Sequence, residues 1–184
     1  MKQGVLLAAG FSRRFGAGDK LLHPLADGTP MILAAAHKLR VALTDVLIVI
    51  NSDAEALRQL LQEKGFDITI CPHAEQGMGM SLAWAVRASS EAEAWVIALG
   101  DMPYIEISTY RQVADALVQP WDIAVPVFQS RRGHPVGFGG AYREELSNLT
   151  GDQGARILLQ KHRERLKTIG CKDNGVLMDI DTVD

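Results

Sequence analysis

The chain has 184 residues, of which 47% are apolar, and its 19 Lys+Arg against 22 Asp+Glu give a formal net charge of −3. That length accommodates one well-packed domain and falls short of what two usually need. The charge balance gives no reason to expect nucleic acid or an anionic membrane as partner, although a local basic cluster could still hold a small polyanion.

In chain order, short apolar runs alternate with helical patterns. The first run, Val5 to Ala9, is too short for a signal segment or a membrane span and meets Gly10 at once. A first strand is expected over Gly4 to Ala8. A helix follows from Thr29, with Pro30 in its first turn, to about Leu43. Asp45 to Ile50 reads as a strand, and the next helix, starting near Ser52 or Asp53, puts Leu57, Leu60 and Leu61 on one face. Ile68 to Cys71 is a short strand, Met80 to Ala88 a helix and Trp95 to Leu99 a strand. Ile107, Tyr110, Val113, Ala114 and Leu117 recur at spacings of three and four, as on a helix. Asp122 to Val127 and Pro135 to Phe138 read as strands, with helices near Ala141 to Leu149 and Gly154 to His162. One or two strands close the chain between Leu166 and Ile180.

This alternation predicts a mostly parallel sheet covered by helices on both faces. Ligands in such sheets sit beyond the carboxyl ends of the strands. The two cysteines, Cys71 and Cys171, have no metal-ligand spacing and read as reduced thiols in a cytoplasmic protein.

The unusual residues do cluster after strands. Leu7, Ala8, Ala9 and Gly10 lead through Ser12, Arg13 and Arg14 to Lys20. Small residues let backbone approach a ligand, successive N–H groups can form an anion-binding nest, and three cations stand nearby. The spacing is neither a Walker A loop nor G-x-G-x-x-G. A second segment, Glu75-Gln76-Gly77-Met78-Gly79-Met80-Ser81-Leu82, leads into a helix, and Gln76 offers a donor and an acceptor to a base edge. Its glycine pattern also fails the dinucleotide fingerprint, since the third glycine would fall at Leu82. A third, Gly100-Asp101-Met102-Pro103, sets a carboxylate at the end of an apolar strand, where it could hold Mg²⁺ with substrate phosphates or cap the following helix. A fourth set comprises Arg132-Gly133-His134-Pro135-Val136 and Gly151-Asp152-Gln153-Gly154-Ala155-Arg156, where Asp152 could equally be a helix N-cap.

Taken together, Leu-Ala-Ala-Gly-x-Ser-x-Arg-Phe-Gly with the later Lys-Leu-Leu, then Gly-Met-Gly-x-Ser-Leu and Leu-Gly-Asp-Met-Pro, resemble the nucleotidyltransferases with a Rossmann-like fold. The chain is most similar to their molybdenum cofactor cytidylyltransferase group, which more often has Met where Phe15 stands. The likeness covers nearly the whole chain and implies a single nucleotidyltransferase domain over residues 1–184, a three-layer α/β sandwich. It implies catalytic roles for Arg14, Lys20 and Asp101, with Arg13 on a variable position. Leu7, Ala8, Ala9, Gly10, Ser12, Gln76, Gly77, Gly79 and Ser81 would bind the nucleotide. Arg132, His134, Asp152 and Arg156 would face the acceptor. The closing Asp179-Ile180-Asp181-Thr182 is similar to the family's terminal motif, with Val183 in place of Pro, and implies that Asp181 completes the metal site with Asp101.

The implied reaction moves CMP from CTP to a molybdopterin-type molybdenum cofactor with Mg²⁺, the product passing to a molybdoenzyme. Ala9, where the guanylyl branch usually has Gly, adds a methyl that favours a pyrimidine. Use of GTP or another phosphorylated acceptor is the competing enzymatic reading. A non-catalytic cofactor carrier or maturation chaperone is the reading from another class, and the presence of Lys20 and Asp101 counts against it.

Overall fold

The computed structural model describes residues 1–11 and 19–181. Its first strand, β1, spans Lys2–Ala8, and side chains alternate between the two faces with the period of two that a strand imposes. Leu6 and Ala8 pack into one apolar cluster, and Val5 and Leu7 into the other. Helix α1 (Met31–Ala42) follows, then β2 (Asp45–Asn51), α2 (Glu55–Glu63), β3 (Asp67–Cys71) and α3 (Met78–Ala88). Next come β4 (Ala94–Leu99), α4 (Ile107–Ala116), β5 (Ile123–Phe128), β6 (Arg131–Arg132) and β7 (Val136–Gly139). Two short helices, α5 (Arg143–Ser147) and α6 (Arg156–Lys161), precede the last strand, β8 (Leu166–Gly170).

The eight strands form one sheet in the order β3-β2-β1-β4-β7-β5-β6, with β8 beside β5. Pairing is parallel between β1 and β2, β1 and β4, β2 and β3, and β5 and β8. The segments β6 and β7 return antiparallel against β5, and β7 also lies antiparallel to β4. Helices α1, α2 and α4 cover one face through Leu39, Leu57, Leu61 and Tyr110. The other face takes α3, α5 and α6 through Leu82, Val86, Leu146 and Leu158 around the fully buried Trp95. This is the expected single-domain α/β three-layer arrangement.

Two local differences from the sequence expectations have identifiable causes. Helix α1 begins at Met31 with Pro30 before it and no side-chain cap. Thr29 is already engaged: its carbonyl accepts from the Leu25 N–H at 2.8 Å, and its N–H donates to Asp27 Oδ1 at 2.9 Å. The short strand β6 is an addition, made by a turn in which Gln129 and Ser130 both take positive φ, 47° and 66°. Of the one or two strands expected to close the chain, the described residues hold one, β8, followed by a 3₁₀ turn at Asn174–Leu177. The thiols of Cys71 and Cys171 are free, as expected. Among the described residues, no helix is long and apolar enough to cross a membrane.

Candidate active site

The parallel pairing of β1 with β4 brings two loops together that lie more than ninety residues apart in the chain. Leu7 is in register with Leu99, and the Gly100 N–H donates to the Leu7 carbonyl at 2.9 Å. The Ala8-Ala9-Gly10 segment therefore leaves the sheet beside Asp101. On the other side, at the end of β2, Asn51 Nδ2 donates to the Ala9 carbonyl at 3.3 Å. Opposing requirements meet in these loops: the strand ends are pinned by backbone bonds while their small side chains leave room above them.

That room is a cavity of about 480 Å³, within the roughly 300–1,000 Å³ typical of small-ligand sites. It is lined by Leu7, Ala8, Ala9, Gly10 and Phe11, by Lys20 and Leu21, and by Ala74, Glu75, Gly77, Met78 and Ser81. Leu99, Asp101, Asp152 and Asp181 complete the wall.

Lys20 opens a 3₁₀ turn, Lys20–Leu22, whose preceding residue Asp19 accepts from the Leu21 N–H at 3.0 Å. This turn points the Lys20 ammonium at two carboxylates, 3.0 Å from Asp101 Oδ2 and 3.1 Å from Asp181 Oδ1. Burial would lower the pKa of this lysine. The hydrogen bonds and charges of Asp101 and Asp181 outweigh that and hold it above the ordinary lysine range. The ammonium thus stays charged at any physiological pH. Asp181 reaches the site because the Ile180 N–H donates to the Asp101 carbonyl at 3.0 Å, which lays the tail along the end of β4.

Asp101 caps no helix, since α4 starts at Ile107 and is preceded by Glu106. Asp101 and Asp181, converging on one ammonium, are hard oxygen donors of the kind that hold Mg²⁺, which is commonly bound by one or two carboxylates plus substrate phosphates. Among the described residues there is no cluster of three or more His, Cys, Asp or Glu.

The remaining expected residues divide by position. Leu7, Ala8, Ala9, Gly10, Gly77 and Ser81 line the cavity, whereas Ser12, Arg13 and Arg14 lie outside the described residues. Gln76 ends the 3₁₀ turn Ala74–Gln76 and is exposed, while its neighbours Glu75 and Gly77 face the cavity. Gly79 is buried in the first turn of α3, packed against residues 150–151. Arg132 on β6 and Arg156 at the start of α6 are exposed and off the cavity wall. His134 also stands off that wall. Its N–H donates to the Val176 carbonyl at 2.9 Å, and its buried Nδ1 has no hydrogen-bond partner among the described residues. Burial pushes its pKa down, against the opposing pull of Asp101, the Ile97 backbone and Asp179. The imidazole is consequently neutral near pH 7. Asp152 is no helix cap either, because Ala155 precedes α6 and no side chain caps it. It lies on the cavity wall.

The cavity is also lined by Phe11, Glu75 and Leu99, which lie inside the predicted loops without an assigned role, and by Leu21 and Ala74, which sequence reasoning missed because they look like ordinary packing residues. Met78, between the two glycines of the second loop, lies on the same wall.

A parallel sheet that presents a small-residue loop, a charged lysine and metal-competent carboxylates at adjoining strand ends is the apparatus of a nucleotidyltransferase. A family model described as a MobA-like NTP transferase domain matches residues 4–166. The chain belongs to that family. It is 31% identical to the nicotine blue oxidoreductase of Paenarthrobacter nicotinovorans, over 98% of this chain and 92% of the relative. It is also 31% identical to the purine catabolism protein PucB of Bacillus subtilis, over 97% of this chain and 91% of that one. The crystal structure of Rv0371c from Mycobacterium tuberculosis superposes with a TM-score of 0.84 at 31% identity, covering 98% of this chain and 92% of the other. Rv0371c has also been solved in complex with manganese, a structure that matches with a TM-score of 0.75 at 27% identity, over 92% of this chain and 88% of that one.

Proposed function

We propose that this enzyme transfers CMP from CTP to a molybdopterin-type molybdenum cofactor, releasing pyrophosphate. The observation that carries the reading is the convergence of Lys20, Asp101 and Asp181 where β1 and β4 end, at a cavity of about 480 Å³. An oxygen of the acceptor phosphate forms a bond to the α-phosphorus, the bond from that phosphorus to the bridging oxygen breaks, and the electron pair leaves with pyrophosphate.

Such a transfer needs positioning and charge neutralisation more than covalent help. The cavity's described walls carry Glu75, Asp101, Asp152 and Asp181 against one ammonium, so a polyanionic substrate cannot enter on these charges alone. In our reading Asp101 and Asp181 would hold Mg²⁺, which would supply charge neutralisation at the phosphates. Lys20 and Arg14 hold the β- and γ-phosphates and stabilise the negative charge that develops on pyrophosphate. The backbone from Leu7 to Gly10, continuing to Ser12, seats the triphosphate, while Gly77 and Ser81 with Gln76 and Gly79 locate ribose and base.

The buried methyl of Ala9, with its residue 4% exposed and on the cavity wall, supports a pyrimidine by narrowing the space. Arg132 and Arg156, exposed beyond the cavity, would meet the acceptor together with His134. The product would pass to a molybdoenzyme, and the setting would be the cytoplasm. The test is incubation of the purified protein with Mg²⁺, each NTP in turn and molybdopterin-containing cofactor, following pyrophosphate and identifying the product by mass. A CMP adduct formed from CTP is expected. Preference for GTP overturns the argument from Ala9, and cofactor binding without pyrophosphate release supports the carrier reading instead.

A further inference from the structure

We propose that Asp152 reads the nucleoside of the bound nucleotide, accepting a hydrogen bond from a donor group on its sugar or base; this rests on the nucleotidyltransferase reading above. By sequence, Asp152 belongs to the segment expected to face the acceptor. The fold places it on the wall of the same cavity as Ala8, Ala9, Gly10 and Ser81, while Arg156, from the same segment, stays off that wall.

What holds Asp152 there is a clamp between its loop and the start of α3. The Gly79 N–H donates to the Gly151 carbonyl at 2.7 Å. A Cβ at Gly79 would stand 2.7 Å from the Thr150 carbonyl oxygen. One at Gly77 would stand 2.5 Å from Asp152 Oδ1 and 2.6 Å from the Gly151 oxygen, and the φ of +111° at Gly77 is itself one that L side chains rarely adopt. The two glycines of the Gly-Met-Gly segment are therefore the space that the 150–152 backbone fills. Their absent side chains set a carboxylate beside the nucleotide.

Geometry places that carboxylate against one part of the wall. A Cβ at Gly77 would meet Asp152 Oδ1, and Gly77 and Ser81 are the residues that the reading above gives to ribose and base, away from the Lys20–Asp101–Asp181 cluster assigned to the phosphates. On that reading Asp152 faces the uncharged nucleoside. An ionised carboxylate only accepts hydrogen bonds, so it selects ribose hydroxyls or an exocyclic amine and repels a carbonyl oxygen in their place.

The experiment is equilibrium binding of CTP, 2′-deoxy-CTP and UTP, in MgCl₂, to the full chain and to Asp152→Ala and Asp152→Asn, with thermal melts to check folding. The expected result is a roughly tenfold to hundredfold weaker grip on CTP in Asp152→Ala, the size of one charge-assisted hydrogen bond. If the donor is a ribose hydroxyl, the loss disappears with 2′-deoxy-CTP. If it is the base amine, the preference for CTP over UTP collapses, and Asp152→Asn, whose amide can donate, recovers UTP. Either pattern upholds the proposal. Variants that bind all three nucleotides like the parent overturn it while leaving the nucleotidyltransferase reading intact. A parent chain that binds no nucleotide sinks both.

Discussion

Lys20 carries the largest expectation at the scale of the single residue. Its ammonium lies within hydrogen-bond distance of both metal-competent carboxylates, and burial by the 3₁₀ turn leaves its residue 9% exposed. Replacing it with Ala removes a preorganised positive charge from the path of the leaving pyrophosphate. We expect turnover to fall roughly a hundredfold or more, with the melting temperature little changed. Full activity in Lys20→Ala would remove this residue from the mechanism. Asp101→Asn should abolish most metal-dependent turnover and weaken Mn²⁺ binding in the presence of nucleotide, both measurable by titration. Undiminished Mn²⁺ binding would sink the metal assignment. Both residues were legible as candidates in the sequence, because Asp101 stands two residues after β4 and Lys20 closes the small-residue, cationic loop that follows β1, where functional side chains gather. His134 was legible as an unusual residue between Gly and Pro, in a segment expected to face the acceptor. The burial of its ring, which depends on Val176 and on residues of β4, was not legible there.

Among elements, the edge formed by β5 and β8 depends on one buried ion pair. Asp122, 4% exposed, accepts from the Val118 N–H at 2.9 Å, the Gln119 N–H at 2.7 Å and Lys167 Nζ at 2.6 Å. It thereby ties the end of α4 to both strands. Burial would raise the pKa of this carboxylate, yet the hydrogen bonds from Lys167, Gln119 and Val118 overcome it and hold the pKa below the usual range. A depressed carboxylate pKa contributes stability that is present above the unfolded value, about 3.9, and lost as pH falls through the folded one. Asp122→Asn should therefore destabilise the fold by roughly 1–3 kcal/mol near neutral pH. The gap between parent and variant should close below about pH 4, as denaturant titrations at several pH values would show. A gap that widens on acidification would contradict the assigned sign. The neighbouring strand β6 was invisible in the sequence for a comparable reason. Gln129-Ser130 is not the Asn-Gly type of turn that marks a hairpin, and only pairing with Val127 and Phe128 makes Arg131–Arg132 a strand.

For the molecule as a whole, the site is closed by residues from opposite ends of the chain. Asp181 meets Lys20 across 161 positions of sequence, and its side chain is 71% exposed. With the carboxylate this exposed, solvent screens the pair even though Lys20 is buried, and its contribution to stability is small, of the order of 0–1 kcal/mol. Asp181→Asn should thus leave the melting temperature within a few degrees of the parent while raising the divalent-ion concentration needed for half-maximal turnover. Loss of folding in that variant would mean that the tail is structural rather than part of the metal site. The positions of most β strands, the helix faces and the small-residue segment after β1 were set by local features: β-branched runs, spacings of three and four, and small residues after a strand. These are interactions between near neighbours in sequence, which is why one chain suffices to read them. Which loops share a cavity is a matter of strand order. The parallel pairing of β1 with β4 put Gly10 beside Asp101, and the packing of residues 150–152 into the space left by Gly77 and Gly79 put Asp152 on the wall of the same cavity. No local pattern encodes a contact between segments seventy or more residues apart, because it exists only once two cores have closed on the two faces of one sheet.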